Sequence, residues 1–308
     1  MIGKNWNRGW LHSARVNKLK CLKILLTSCL LLISEFGIAQ IKLVDDAGHE
    51  HTLKQPAMRL VSLIPHATEL MFEIGAGDLL VGAVEYSDYP AAAQKIPRVG
   101  GYSALNIEAI LAAQPDMILA WPEGNRGREL HKLRDLNLPI FVTDPRTFDD
   151  IARVMGMFGQ LTGRLASSEQ AIARFQRRYG KLKQQYSEER PLRVFYQVWN
   201  APLMTQNGNT FISRAIEVCG GQNIFADLPM SNPQISIEAV LTADPDVIVA
   251  SGMGEARPEW LDDWRKFEQL KAVQNKHLVH IPPELLQRPT SRLLQGTELL
   301  CKALQQAR

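Results

Sequence analysis

The residues of this 308-residue chain best suited to chemistry are rings on loops, not nucleophiles paired with bases. In the first half Tyr86, Tyr102 and Trp121 sit in Pro- and Gly-rich loops just after apolar, β-rich runs; in the second, Val198, Trp199 and Met204 do the same, and Arg288 and Arg292 follow late in the chain. Aromatic side chains bury large areas with few rotatable bonds, and a guanidinium adds directional polar contacts. Such a set is suited to holding a large, flat, partly apolar ligand without reacting with it. The competing reading is that each Trp plugs the end of its strand, since Trp is highly buried on average. No Gly-x-Ser-x-Gly elbow, Walker loop, Gly-x-Gly-x-x-Gly or Cys-x-x-Cys occurs, so the sequence offers no catalytic machinery.

Two acids stand out by repetition. Residues 106–120 (NIEAILAAQPDMILA) match residues 236–250 (SIEAVLTADPDVIVA) at 9 of 15 positions, with an offset of 130, which places Glu108 and Glu238 at equivalent points in the first turn of two helices. Equivalent acids project from the same surface of two similar lobes and are placed for a role at that surface. Stabilisation of the helix dipole is the alternative. Two imidazoles in His49-Glu50-His51 lack a third metal ligand nearby and read as an exposed hairpin, and His66 reads as a packing residue at a helix start.

The elements that position these residues follow from apolar periodicity. Residues 41–53 alternate as a hairpin; 59–65, 79–84, 117–121 and 139–143 read as strands; and 67–74 and 129–136 read as helices between them. In each repeat Asn106 or Ser236 is an N-cap, and a Pro-Asp turn feeds an apolar run typical of a strand covered on both faces. Between Phe148 and Glu189 only helical spacing is found, with a second helix expected over 167–185. The fold class is α/β: two similar Rossmann-like lobes, 40–147 and 190–308, joined by rigid linking helices over 148–189, with the aromatic loops facing a cleft between them.

Charge divides the chain unevenly. Six basic residues (Lys4, Arg8, Arg15, Lys18, Lys20, Lys23) precede the first acid, Glu35; an uncharged stretch follows Lys23, and Gly37 and Ala39 suit a cleavage site before Gln40. Residues 1–39 therefore read as an export signal, with lipoprotein processing before Cys29 as the rival. Their loss takes away six basic and one acidic residue and turns a formal charge of +3 into −2, a poor balance for binding nucleic acid. Of the four cysteines, Cys219 and Cys301 would remain, and an even pair in an oxidising compartment reads as a disulfide, two buried thiols being the alternative.

Ser87-Asp88-Tyr89-Pro90, Asn106-Ile107-Glu108, Ile118 to Trp121, Val194 to Gln197, residues 217–225 (EVCGGQNIF) and the late Cys301 together resemble the periplasmic vitamin B12-binding proteins of bacterial ABC importers, within the helical-backbone (class III) substrate-binding proteins. The similarity runs from about Arg59 to the C-terminus. It implies a non-enzymatic, monomeric carrier of cobalamin, with no resident cofactor and no protein ligand to cobalt. The corrinoid would lie between Tyr86, Tyr102 and Trp121 of one lobe and Val198, Trp199, Met204 and Arg288 of the other. It also implies that Glu108 and Glu238 dock onto an inner-membrane permease dimer with its ATPase subunits. Asn232, Val198 and Met204 stand where the family tends to carry aromatic residues. The same scaffold loaded with a ferric siderophore or haem is the nearer alternative, and an enzyme holding a metallocofactor the remote one.

Overall fold

The computed structural model describes residues 40–101, 104–122, 125, 127–186, 189–252 and 257–308; residues 1–39, read above as an export signal, and Tyr102 lie outside them. A hairpin of β1 (Ile41–Val44) and β2 (Glu50–Leu53) leads into the first lobe: β3 (Leu60–Ser62), α1 (Pro65–Glu73), β4 (Leu80–Ala83), α2 (Ile107–Ala112), β5 (Met117–Ala120), α3 (Gly127–Asp135) and β6 (Ile140–Val142). Two helices, α4 (Phe148–Thr162) and α5 (Leu165–Tyr186), link it to the second lobe. There β7 (Leu192–Gln197), β8 (Trp199–Asn200), β9 (Leu203–Met204), α6 (Phe211–Val218), β10 (Gly221–Asn223), α7 (Ile237–Ala243) and β11 (Val247–Ala250) are followed by α8 (Lys271–Gln274), β12 (Leu278–His280), α9 (Pro283–Leu286) and α10 (Leu293–Gln306).

Each lobe is built on a four-stranded parallel sheet, and the two have the same topology, β4-β3-β5-β6 and β10-β7-β11-β12. Every residue of β5 and of β11 is buried, as strands covered on both faces require. The repeat is a unit of wiring as well as of pattern. Asn106 Oδ1 accepts from Ala109 N at 3.0 Å, and Ser236 Oγ from Ala239 N at 3.2 Å. The turn acids do matching work: Asp116 accepts from the backbone of Arg59, Asp246 from that of Arg193, and each arginine donates back to the carbonyl of Ala113 or Ala243.

One local reading changes. The first strand ends at Ser62, not Pro65, because Pro65 opens α1 at a first-turn position where its missing N–H costs nothing.

The linking helices do more than span a distance. Outward-facing strand residues form separate lobe cores, Val61 and Ile118 packing with Leu133 of α3 in one and Phe195 and Ile248 with Trp264 in the other. The opposite faces share a single core in which Leu119, Phe141, Phe148, Phe158, Phe175, Tyr196 and Val249 all take part. Phe148 stacks on Tyr179 with centroids 4.5 Å apart, tying α4 to α5. A close-packed core shared by both lobes resists their relative motion far better than a flexible strand would. Cys219 and Cys301, both fully buried, are joined in a disulfide that fastens the end of α6 to α10. Among the described residues no helix is long and apolar enough to cross a membrane.

Candidate functional site

In a sheet ordered β4-β3-β5-β6 the winding direction reverses beside β3, and the crevice outside the strands' carboxyl ends is where ligands sit. Both lobes turn that edge toward a shared cleft of about 570 Å³. From the first lobe come Trp121, directly after β5, and Asp144, Pro145 and Arg146, after β6. The second supplies Val198 and Trp199 after β7, Met204 on β9, Gln206 and Asn209 beyond it, Thr210, Phe211 and Ile212 at the start of α6, and Asn232 and Gln287.

The walls are held from behind. Trp121 donates its indole Nε1 to Asp144 Oδ1 at 3.0 Å, while Asn125 accepts from the Trp121 backbone and donates to Leu63 O. Asp144 is braced by the N-terminal hairpin: its backbone N donates to Asp46, and buried Asp45 accepts from Val142 N at 3.1 Å. Hydrogen bonds from the backbone of His49 and Val142 outweigh the burial that opposes them, so the Asp45 carboxyl lies below the usual range. Opposite, Trp199 and Met204 pair across the short β8–β9 ribbon, and Trp199 Nε1 donates to Ala201 O at 3.0 Å. Gln287 donates to Tyr196 Oη and Gly252 O; burial pushes the Tyr196 hydroxyl up to about 12, so it stays neutral.

Behind Trp121 lies His66, its ring edge-on to the indole with centroids 5.4 Å apart. Burial, aided by the nearby Arg288 cation, pushes its pKa from 6.5 down to about 3. The imidazole is neutral at physiological pH.

Electrostatically the cleft is close to neutral. Among the described lining residues the only charged pair is Asp144 and Arg146, in contact at 2.8 Å. Arg288 and Arg292 do not line it; both are engaged by Glu69, and Arg288 also by Asp88. Those bonds outweigh the burial that disfavours the Arg288 cation and hold its pKa above the ordinary value.

Of the residues singled out from sequence, Trp121, Val198, Trp199 and Met204 meet at this cleft. Tyr86 is 70% exposed in a left-handed conformation (φ 63°) and is not among the lining residues. Glu108 and Glu238 are exposed at the starts of α2 and α7; hydrogen bonds from its own backbone N–H and from Ser236 hold the Glu238 carboxyl below the ordinary value. Sequence reasoning passed over Asp144, Arg146, Gln206 and the start of α6. The rule that found Trp121 would have found Asp144-Pro145-Arg146, since that loop also follows a strand at its carboxyl end.

Comparison with known proteins agrees with this architecture. Residues 60–285 match a family described as periplasmic binding protein. The vitamin B12-binding protein of Vibrio cholerae is 39% identical over 249 residues, covering 81% of this chain and 90% of that protein. Its counterpart in Yersinia pestis is 42% identical over 198 residues, covering 64% of this chain and 71% of that one. The crystal structure of the periplasmic vitamin B12-binding protein BtuF of Vibrio cholerae superposes with a TM-score of 0.75 at 39% identity, covering 82% of this chain and 98% of that one. The periplasmic heme-binding protein RhuT from Roseiflexus shares the fold at 22% identity, with a TM-score of 0.72, covering 82% of this chain and all of the other. Two parallel-sheet lobes of one topology, linked by helices and opening their strand ends onto a common cleft, thus belong to a member of the periplasmic binding protein family.

Proposed function

We propose that this chain is the substrate-binding protein of a bacterial ABC importer, exported to the periplasm, where it captures cobalamin and delivers it to its permease. The observation that carries the reading is the cleft itself: about 570 Å³, with Trp121, Trp199, Val198 and Met204 in its walls and, among the described lining residues, one charged pair, Asp144 with Arg146, in mutual contact. A corrinoid is a broad macrocycle rimmed mainly with neutral amides, and such a guest gains from apolar faces. Relatives named vitamin B12-binding proteins support the same ligand. The dianionic haem or an anionic siderophore would ask for unpaired cations, whereas among the described residues Arg146 in the cleft wall and Arg288 and Arg292 beside it already hold Asp144, Asp88 and Glu69.

In this reading Trp121, Val198, Trp199 and Met204 cover the macrocycle, Tyr86 and Tyr102 extend the first lobe's wall, and Arg288 offers its remaining N–H groups at the rim. Cobalamin is cargo and not a cofactor, cobalt takes no protein ligand, and the chain is not an enzyme. The export signal is removed before Gln40, and Glu108 and Glu238 dock onto the permease dimer. Titration calorimetry with cyanocobalamin, a ferric siderophore and haem tests the ligand: binding below 1 μM, about −8 kcal/mol or tighter, is expected for the first alone. Tighter binding of either competitor refutes it.

A further inference from the structure

Glu69, on α1 of the first lobe, keeps its carboxylate only 3% exposed, and its ionic partners among the described residues come from the second lobe. Arg292 grips it with a fork, Nη2 to Oε1 at 2.7 Å and Nε to Oε2 at 3.0 Å. Arg288 Nη1 donates to the same carboxylate at 2.8 Å and to Asp88 at 3.0 Å. The Arg292 guanidinium also lies 4.0 Å from the centre of the Tyr89 ring. These contacts cross from one lobe to the other, and they engage the segment that begins with Gln287, a wall of the cleft.

We propose that Glu69 is a positioning residue: through Arg288 and Arg292 it pins the 287–292 segment to the first lobe and so sets the width of the cleft. Two carboxylates and two guanidiniums balance as they stand. Neutralise Glu69, and two guanidiniums only 17% and 13% exposed are left to share Asp88, which is itself 53% exposed. A buried cation without a partner is costly, whereas a complete pair exchanged for neutral side chains is often tolerated. The shared core holds the lobes together along α4 and α5, so hydration of the stranded charge comes from parting them at the cleft edge. The two changes are therefore non-additive: removing Glu69 alone opens the cleft, and removing Glu69 together with Arg292 lets it close, since Arg288 then matches Asp88.

The test places spin labels at the exposed, repeat-equivalent positions Ala112→Cys and Thr242→Cys. Interlobe distances are then measured by double electron–electron resonance, without ligand, in the chain from Gln40 onward, where Cys219 and Cys301 are joined in the disulfide and only the two introduced thiols take label. Glu69→Gln is expected to shift the mean distance outward by more than the width of the wild-type distribution, Arg292→Lys to shift it partway, and Glu69→Gln with Arg292→Gln to restore it. In stopped flow, Glu69→Gln should speed dissociation of cyanocobalamin about tenfold or more with little change in association, because a cleft held wider loses contacts to the bound guest while its mouth stays accessible. An unmoved distance in Glu69→Gln, or a double variant as open as the single one, overturns the proposal. Should Glu69→Gln fail to fold, Arg292→Lys and the double variant decide in the same way. The kinetic arm rests on the cobalamin reading, whereas the distance arm uses no ligand; a wild type that ignores cyanocobalamin would refute that reading alone.

Discussion

His66 should make this protein lose stability on acidification in a way that one substitution can isolate. The residue is 4% exposed, its Nε2 has no hydrogen-bond partner among the described residues, and burial together with the Arg288 cation takes its pKa from 6.5 to about 3. In the unfolded chain the imidazole takes up a proton near pH 6.5; in the folded one it does so only near pH 3. Between those values the unfolded state binds more protons, so stability is complete above pH 6.5 and falls as the pH drops, by up to about 1.4 kcal/mol per unit. From pH 7.5 to 4.5 the share due to His66 comes to about 3 kcal/mol, a large part of a typical domain's stability. Urea denaturation at both values, on wild type and His66→Leu, gives the answer, because the carboxylates titrate alike in both. Wild type should lose about 3 kcal/mol more than the variant. Equal losses in the two proteins would refute the reasoning, as they would mean that the folded state admits a protonated His66 behind Trp121.

Four further outcomes are expected. Trp121→Ala and Trp199→Ala should each weaken cyanocobalamin binding about 30-fold or more by calorimetry, the loss typical of a central aromatic anchor, whereas Trp121→Phe, which removes the hydrogen bond to Asp144 but keeps the ring, should cost about tenfold or less. Replacing Cys219 and Cys301 by Ala opens a loop closed over 82 residues, and guanidinium melts should show a loss of about 4–5 kcal/mol; a loss under about 1 kcal/mol would speak against the loop-closure account. Asn106→Ala and Ser236→Ala each remove a helix N-cap, and their destabilisations, about 1 kcal/mol apiece, should add because the caps serve different lobes. Glu108→Lys with Glu238→Lys should abolish cobalamin uptake by cells while leaving the affinity of the purified protein unchanged; persisting uptake would end the docking idea.

Much of this molecule is written in short stretches of its sequence. A continuous apolar run after a Pro-Asp turn dictates a strand buried on both faces, and its recurrence with an offset of 130 dictates a second lobe of the same kind, down to the caps Asn106 and Ser236. That is local information, carried by period and propensity, and so are the placement of Trp121 and Trp199 after strands and the helical spacing of residues 148–185. What the tertiary structure decided is which side chains answer one another over distance. Nothing in the order of residues announces that Glu69 meets Arg292, 223 positions away, or that Arg288 is engaged there while Asp144 and Arg146 stand in the cleft. The exposed position of Tyr86 and the burial of His66 follow likewise from how the lobes pack. A repeat or a cap depends on neighbours along the chain, whereas the charge balance and width of a cleft depend on two surfaces that meet only once both lobes have folded onto a common core.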